Sequence, residues 1–310
     1  MIKRNKIFFF ILTSGLFLFN QCSINKIAVN KIADMLSSED STVFTSDDDP
    51  ELIKEALPFG LKLYESLAEQ APDNPDLLLA TGRSFCMYAY AFVQEPSERL
   101  ADSDIEKQTR MQIRAKKLYL RGRTYILRGL EVNHPGFTNL MAKGKMEKAV
   151  LSCGKKDVGY LYWAGLAWMG AYTADKFDMN LAVNTSKPVK MITRALDLDE
   201  SYNEGAVHEF FISYYGSLPV TMGGSEEKAR YHFKRSIELS HGLKASPYLA
   251  LATSICINKQ NIGEFKSLCN QALAVDTNKN PQNRLLNILY QDKARWLLAH
   301  LDNYFLMEKE

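Results

Sequence analysis

The segment KLYESLAEQAPDNPDLLLATG, residues 62–82, decides the fold. Its first part reads as an apolar helix that ends at Pro72, and Pro75 stands where the next helix should begin. Only Asp73 and Asn74 connect the two helices, and such a short link forces neighbouring helices to run antiparallel. The segment therefore predicts a helical hairpin.

The ending of this first helix recurs along the chain, each time as an apolar helix closed at a polar or proline turn. Ala229, Phe233 and Ser236 follow the spacing small-x3-large-x2-small, which lets the two helices of a pair nest, and Gly82 supplies a small residue ten positions after Pro72. The spacing of the units is irregular. We predict an all-α fold of TPR-like antiparallel helical hairpins that form an irregular α-solenoid. The five endings lie at residues 67–72, 130–135, 195–199, 236–240 and 272–276.

The composition supports helices over a turn-rich β fold, because 310 residues contain only 17 glycines and 10 prolines. Pro58 is the one proline inside a helix-like stretch, and we expect it to separate a short first helix from a longer second one. The formal net charge of +2 gives no reason to expect a polyanionic partner.

The N-terminus predicts an exported lipoprotein. Basic residues precede an apolar run at residues 7–19, and Cys22 follows. A membrane-spanning helix needs roughly 20 apolar residues, so this run is too short to span. Phe19 and Gln21 depart from the leucine and small residue usual before a lipidated cysteine. The alternatives are an ordinary signal peptide cut further on and an uncleaved short anchor.

Three parts follow from this pattern. Residues 1–21 are a lipoprotein signal peptide, residues 22–48 a tether and lead-in, and residues 49–306 the TPR-like helical-repeat domain. The run of acidic residues at 47–49 before Pro50 is a helix start. Lipidation of Cys22 with more than one acyl chain would hold the protein stably on a membrane. We therefore expect a periplasmic, lipid-anchored protein.

Four cysteines remain after Cys22, namely Cys86, Cys153, Cys256 and Cys269. They are either buried free thiols, which behave as small apolar residues, or they include one disulfide formed in an oxidising compartment. The sequence contains no C-x-x-C pair, so we predict no metal site.

Nine segments, in one order over about residues 40–305, carry a family resemblance. They are FTSDDDPEL (44–52), ALPFGLKLYE (56–65), LLLATG (77–82), YAYAFVQ (88–94), RAKKLYLR (114–121), LYW (161–163), HEF (208–210), SPY (246–248) and ARWLL (294–298). Together they resemble the TRAP transporter T-component family, a group of bacterial TPR-containing lipoproteins.

The resemblance implies an all-helical TPR-like fold and a membrane-anchored periplasmic role. It also implies pairing with the periplasmic solute-binding component of a tripartite ATP-independent (TRAP-type) transporter, and it leaves homo-oligomer formation open. The family offers no catalytic residue or cofactor to assign. The alternative is a structural or assembly scaffold lipoprotein that is unrelated to uptake.

The usual enzyme motifs are absent. The five histidines form no H-E-x-x-H motif, and the chain has no G-x-S-x-G, Walker or G-x-G-x-x-G motif. We predict no catalytic residue, no cofactor and no nucleic-acid partner. An enzyme with an unrecognised cleft is the third hypothesis.

Two sets of residues are candidates for binding. Aromatic residues crowd three segments, where they either form the core between repeats or line a cleft for an apolar ligand or a partner segment. Basic residues at near-helical spacing share one face, which is either a solvated helix side or a docking face for an acidic protein surface or anionic headgroups. The aromatic candidates are Tyr88, Tyr90, Phe92, Tyr162, Trp163, Trp168, Phe211 and Tyr215, and the basic candidates are Arg110, Arg114, Lys117, Arg121 and Arg128.

Overall fold

The computed structural model describes Lys31 and residues 42–306. The structure is 77% helical and contains no strand within that part of the chain, so the predicted all-α, solenoid-like fold is confirmed. Cys22 and the predicted signal peptide lie outside the described residues. Within residues 42–306, no helix combines the length and the apolar character that crossing a membrane requires.

The helices of the first half are arranged as antiparallel neighbours. The longest, α4, packs against α2 on one side and α7 on the other. A π-helical segment, Tyr90–Gln94, joins α2 to α3. The bounds are α1 Pro50–Gln70, α2 Pro75–Ala89, α3 Glu95–Glu98, α4 Ile105–Asn133, α5 Phe137–Ala142, α6 Met146–Leu151 and α7 Val158–Ala174.

The second half continues the same arrangement, with α7 packed on α9 and α10 packed on α11. A second π-helical segment, Ala252–Cys256, follows α12. Short 3₁₀ turns connect several elements, at Asp102–Asp104, Lys155–Asp157, Val220–Met222, Pro281–Asn283 and Leu301–Asn303. The bounds are α8 Met179–Ala182, α9 Ser186–Leu198, α10 Tyr202–Ser217, α11 Glu226–Leu239, α12 Ser246–Leu251, α13 Ile262–Leu273 and α14 Arg284–Ala299.

The helix starts follow the local sequence rules. The Asp49 carboxylate accepts hydrogen bonds from the N–H groups of Glu51 and Leu52, at 3.1 and 3.0 Å. Asn74 caps α2 in the same way through the N–H of Leu77, at 2.9 Å. These side chains satisfy N–H groups that have no partner inside the helix.

The expected break at Pro58 is wrong, because α1 runs through it without interruption. Proline removes one hydrogen bond of the helix. Ile53, Leu57 and Leu61 lie on one buried face on both sides of Pro58. Their packing holds the two parts of α1 in one line, and this outweighs the lost hydrogen bond.

The backbones of α2 and α4 touch at two glycines. A Cβ atom on Gly82 would lie 2.3 Å from Cγ1 of Ile126 and 2.5 Å from the carbonyl oxygen of Gly122. A Cβ atom on Gly122 would lie 2.7 Å from the carbonyl oxygen of Gly82. Only glycine permits this approach.

The buried apolar residues form two clusters that meet within α10. Phe211 belongs to the first cluster, which is built from helices of α1–α10 together with Leu285 of α14, whereas its neighbour Ile212 belongs to the second, built from α10–α14. The helix α10 is therefore shared by both cores. The four cysteines are buried free thiols in this structure, which agrees with the first of the two interpretations.

The last long helix returns to the beginning of the array. The N–H of Leu285 donates to the carbonyl oxygen of Thr45 at 2.9 Å, and the Arg284 guanidinium donates to the carbonyl oxygen of Ser46 at 3.0 Å. Further along, Arg99 and Asp292 form an ion pair at 2.8 Å. The solenoid is thus closed by α14, which lies against the segments around α1 and α3.

Gly82→Ala should lower the free energy of unfolding by about 1–3 kcal/mol, because the new methyl group overfills the contact between α2 and α4. Gly263→Ala is the matched control, because its Cβ atom would meet nothing closer than 3.8 Å. That variant should leave stability unchanged or raise it slightly. Denaturant unfolding of both variants measures the difference, and equal stabilities would contradict this account of the helix contact.

Candidate functional site

Tyrosines from distant parts of the chain meet at the centre of the closed array. The rings of Tyr90 and Tyr290 have centroids 6.0 Å apart, and those of Tyr162 and Tyr202 have centroids 5.5 Å apart. The phenols of Tyr119 and Tyr162 each interact electrostatically with that of Tyr290. We call these five residues the central aromatic cluster.

Burial keeps the phenols of this cluster neutral. It raises the pKa of Tyr90, Tyr119, Tyr162 and Tyr290 above the ordinary value of 10. Tyr119 and Tyr162 are almost fully buried, whereas Tyr90 and Tyr290 retain accessible surface despite this strong desolvation. The cluster therefore presents neutral aromatic groups in surroundings from which water is largely excluded.

One end of the cluster carries a charge network on α3 and α14. Arg99 bonds the carboxylate of Glu95 at 2.6 Å, and Lys293 lies 3.6 Å from Glu98. The ammonium group of Lys293 also lies 6.0 Å from the centroid of the Tyr90 ring. The cations and carboxylates at this end therefore neutralise one another beside the aromatic lining.

The other end carries a buried ion pair. Lys244 lies 3.0 Å from Glu209 and donates to the carbonyl oxygen of Asn203 at 2.6 Å. Ser246 donates to the second oxygen of Glu209 at 2.6 Å. Glu209 also contributes to the raised pKa of Tyr162 and Tyr290, so this ion pair faces the cluster.

The backbone next to this ion pair is strained. Asn203, Glu204 and Gly205 are successive residues with φ values of 46°, 54° and 81°. Two non-glycine residues in the left-handed region are costly, and such strain is concentrated at functional sites. Asn280 and Asn283 donate to the Glu204 carboxylate at 2.7 and 2.6 Å, which holds the segment in place.

The structure distributes the eight aromatic candidates over four places. Tyr90 and Tyr162 belong to the central aromatic cluster, and the half-buried Trp163 packs edge-on against Tyr162 at 5.4 Å. Trp168 lies instead under the Arg123 guanidinium at 4.5 Å. The remaining candidates form two pairs, Tyr88 with Phe92 beside α4, and Phe211 with Tyr215 beside α11.

The basic candidates all lie on α4, but several of them are engaged by neighbouring side chains. Arg121 is paired with the buried carboxylate of Glu65 and lies over the ring of Phe85 at 5.1 Å. Arg114 lies over Tyr88 at 5.6 Å and Arg128 over Tyr125 at 5.3 Å. Arg110 and Lys117 are exposed, and the Arg110 guanidinium lies 3.6 Å from the exposed Glu106 carboxylate. Arg110 and Lys117 are thus the exposed cations of this face that do not lie over an aromatic ring.

A buried histidine pair lies below an open cavity of about 320 Å³ between α9, α10 and α11. The Nδ1 atoms of His208 and His232 lie 2.8 Å apart, and Nε2 of His208 lies 3.3 Å from Glu200. Burial lowers the pKa of His208, and burial with neighbouring positive charge lowers the pKa of His232 to about 4. Both rings are therefore neutral at pH 7, with one Nδ1–H donating to the other ring. The cavity is lined by Leu196, Asp197, Leu198, Asp199, Glu200, His208 and Tyr231.

Sequence reasoning missed Tyr119, Tyr202, Tyr290, Glu209 and Lys244. Each stands in an ordinary amphipathic stretch, where an isolated tyrosine or charge has no distinguishing spacing. Their convergence depends on helices that are far apart in sequence. The one local feature that points to this site is the π-helical segment that begins at Tyr90, because such segments are frequent at functional sites.

Comparison with known proteins identifies the family. Residues 46–305 match the family model described as TRAP transporter T-component. An uncharacterized protein of Treponema pallidum (strain Nichols) is 36% identical over 301 residues, which cover 92% of this chain and 93% of that protein. The matched region contains every helix described above, including both ends of the central aromatic cluster. The chain therefore belongs to the TRAP transporter T-component family, which is a transport-related family rather than a catalytic one.

Proposed function

We propose that this protein is a lipid-anchored periplasmic adaptor that binds the solute-binding component of its TRAP-type transporter and takes up an apolar ligand. Membership of the T-component family implies association with the TRAP transporter system. The proposal of an apolar ligand rests on the central aromatic cluster. There the ring centroids of Tyr90 and Tyr290 are 6.0 Å apart, between two ends whose charges are paired.

The aromatic lining favours an apolar ligand for electrostatic reasons. The phenols stay neutral, and the charges at the two ends are already paired with one another. An ion entering this space would lose its water without gaining an unpaired partner, which is costly. An apolar molecule gains from leaving water, by roughly 25 cal/mol per Å² of buried apolar surface.

The exposed cations of α4 support a docking role. Arg110 and Lys117 project from the solvent side of the helix, while Arg121 is fixed by Glu65. An acidic surface on the solute-binding component would be attracted to this face, and the attraction would speed association and weaken with salt. A lipid tether at Cys22 would keep the complex close to the transporter in the membrane.

Tyr290→Ala should reduce binding of the neutral fluorescent probe N-phenyl-1-naphthylamine about tenfold, because it removes one wall of the central aromatic cluster. Tyr290→Phe keeps the ring and should bind the probe nearly as well as the unmodified protein. Tyr231→Ala, a change at a half-exposed ring on α11, is the control outside the cluster. Circular dichroism verifies that each variant remains folded. If Tyr290→Ala bound the probe as tightly as the unmodified protein, the central aromatic cluster would be ruled out as the binding site.

The double variant Arg110→Glu, Lys117→Glu should weaken the complex with the solute-binding component about tenfold and reduce its salt dependence. Lys266→Glu makes the same kind of change at an exposed position on α13 and should have little effect. Analytical ultracentrifugation at several salt concentrations measures both. The absence of any complex at micromolar concentrations would favour the alternative of a scaffold lipoprotein.

Cys22→Ser should abolish incorporation of labelled palmitate. A thiol is required for the thioether link to the lipid, and serine cannot form it. Cys269→Ser, at a buried cysteine of α13, is the control that should incorporate palmitate as the unmodified protein does. Undiminished labelling of Cys22→Ser, or no labelling of the unmodified protein, would rule out lipidation at Cys22.

A further inference from the structure

Three potential metal ligands converge outside the central aromatic cluster. His134 follows the last residue of α4, Cys153 lies in the turn after α6, and Asp157 directly precedes α7. One ligand atom from each side chain lies within 4.8 Å of the other two. Nε2 of His134 and Oδ2 of Asp157 are 2.9 Å apart. The fold thus brings a nitrogen, a sulfur and an oxygen donor to one point.

Asp157 stands at the N-cap position of α7, yet its carboxylate caps none of that helix. It accepts the N–H of Gly154 at 2.9 Å and the side-chain amide of Asn133 at 3.5 Å, in addition to its contact with His134. The side chain is fully buried. Among the residues that the structure describes, its ion-pairing partner is His134, which carries a charge only when protonated. Buried carboxylates are normally paired with a cation or bound to a metal.

The donor set matches one class of metal ion. Zinc takes cysteine sulfur, histidine nitrogen and carboxylate oxygen in tetrahedral sites, and hydrogen bonds from neighbouring groups orient these ligands. Gly154 and Asn133 already supply such bonds to Asp157. Cys153 is buried, whereas the His134 side chain is 18% exposed, so an ion and a water molecule can enter from the histidine side.

An arginine lies next to these three ligands, so a bound metal ion would be close to another positive charge. The Arg194 guanidinium donates to the carbonyl oxygen of Cys153 at 2.9 Å, on the backbone side of that residue. A bound zinc ion would face a thiolate and a carboxylate, whose two negative charges offset most of the combined positive charge. The thiol proton leaves to solvent on binding, since only the thiolate is a ligand.

We propose that His134, Cys153 and Asp157 bind a divalent transition-metal ion of the zinc class, with water as the fourth ligand. The ion joins the end of α4 to the turn between α6 and α7. The site is independent of the proposed transport function, because none of its ligands belongs to the central aromatic cluster.

Zinc and cobalt titrations of the chelator-treated full chain under reducing conditions test this proposal. One equivalent of Zn²⁺ should bind with submicromolar affinity, measured by competition with a chromophoric chelator. Co²⁺ should give a thiolate-to-cobalt charge-transfer band. Cys153→Ser should abolish that band and weaken Zn²⁺ binding at least tenfold, while Cys269→Ser, at another buried cysteine, should change neither. Asn133→Ala should weaken binding about tenfold, because it removes an outer hydrogen bond to the carboxylate.

His134→Gln provides a second test, because the glutamine amide can still donate a hydrogen bond to the buried Asp157 carboxylate. It should also weaken Zn²⁺ binding at least tenfold, with circular dichroism unchanged. No binding at micromolar Zn²⁺, a cobalt spectrum without the thiolate band, or undiminished affinity in His134→Gln would each overturn the proposal.

Discussion

The hydrogen bonds between the two ends of the described array are the constraint on which the central aromatic cluster depends. The N–H of Leu285 and the guanidinium of Arg284 bond to the carbonyl groups of Thr45 and Ser46, and they fix the start of α14 against the lead-in to α1. Tyr290 and Lys293 stand on the next turns of the same helix. Tyr90 meets Tyr290 only because α14 returns to the first helices, so closure rather than the repeats themselves brings these two rings together.

The distribution of charge follows from the same closure. Glu95 and Glu209 lie at opposite ends of the central aromatic cluster. Glu95 is paired with Arg99, four residues further on, and with Lys293 of α14, and Glu209 is paired with Lys244. A buried charge is stable only when it has such a partner. The phenols between the two ends carry no charge, so their burial needs no counter-ion. The arrangement gives a neutral aromatic centre bounded by charge-paired ends.

Local sequence rules accounted for the helix caps but not for the site. Asp49 and Asn74 act as the expected caps because capping depends on residues within one turn. The expectation of a break at Pro58 failed because packing on both sides of it outweighed a local preference. Tyr90 and Tyr162 could be suspected from aromatic crowding, but Tyr290 and the cluster of His134, Cys153 and Asp157 could not. Their neighbours come from helices whose approach is fixed by tertiary contacts, which no short motif encodes.

The closure also dictates an order of events during synthesis. The bond from Arg284 to Ser46 joins residues that are 238 positions apart, and contacts of such long range form late because a long loop must first be confined. The ribosome makes the N-terminal helices first, so Tyr90 and Tyr162 emerge well before Tyr290 exists. Until α14 arrives, the nascent chain exposes aromatic rings that are prone to aggregation. A chain cut short before α14 would therefore leave Tyr90 without Tyr290 to cover it.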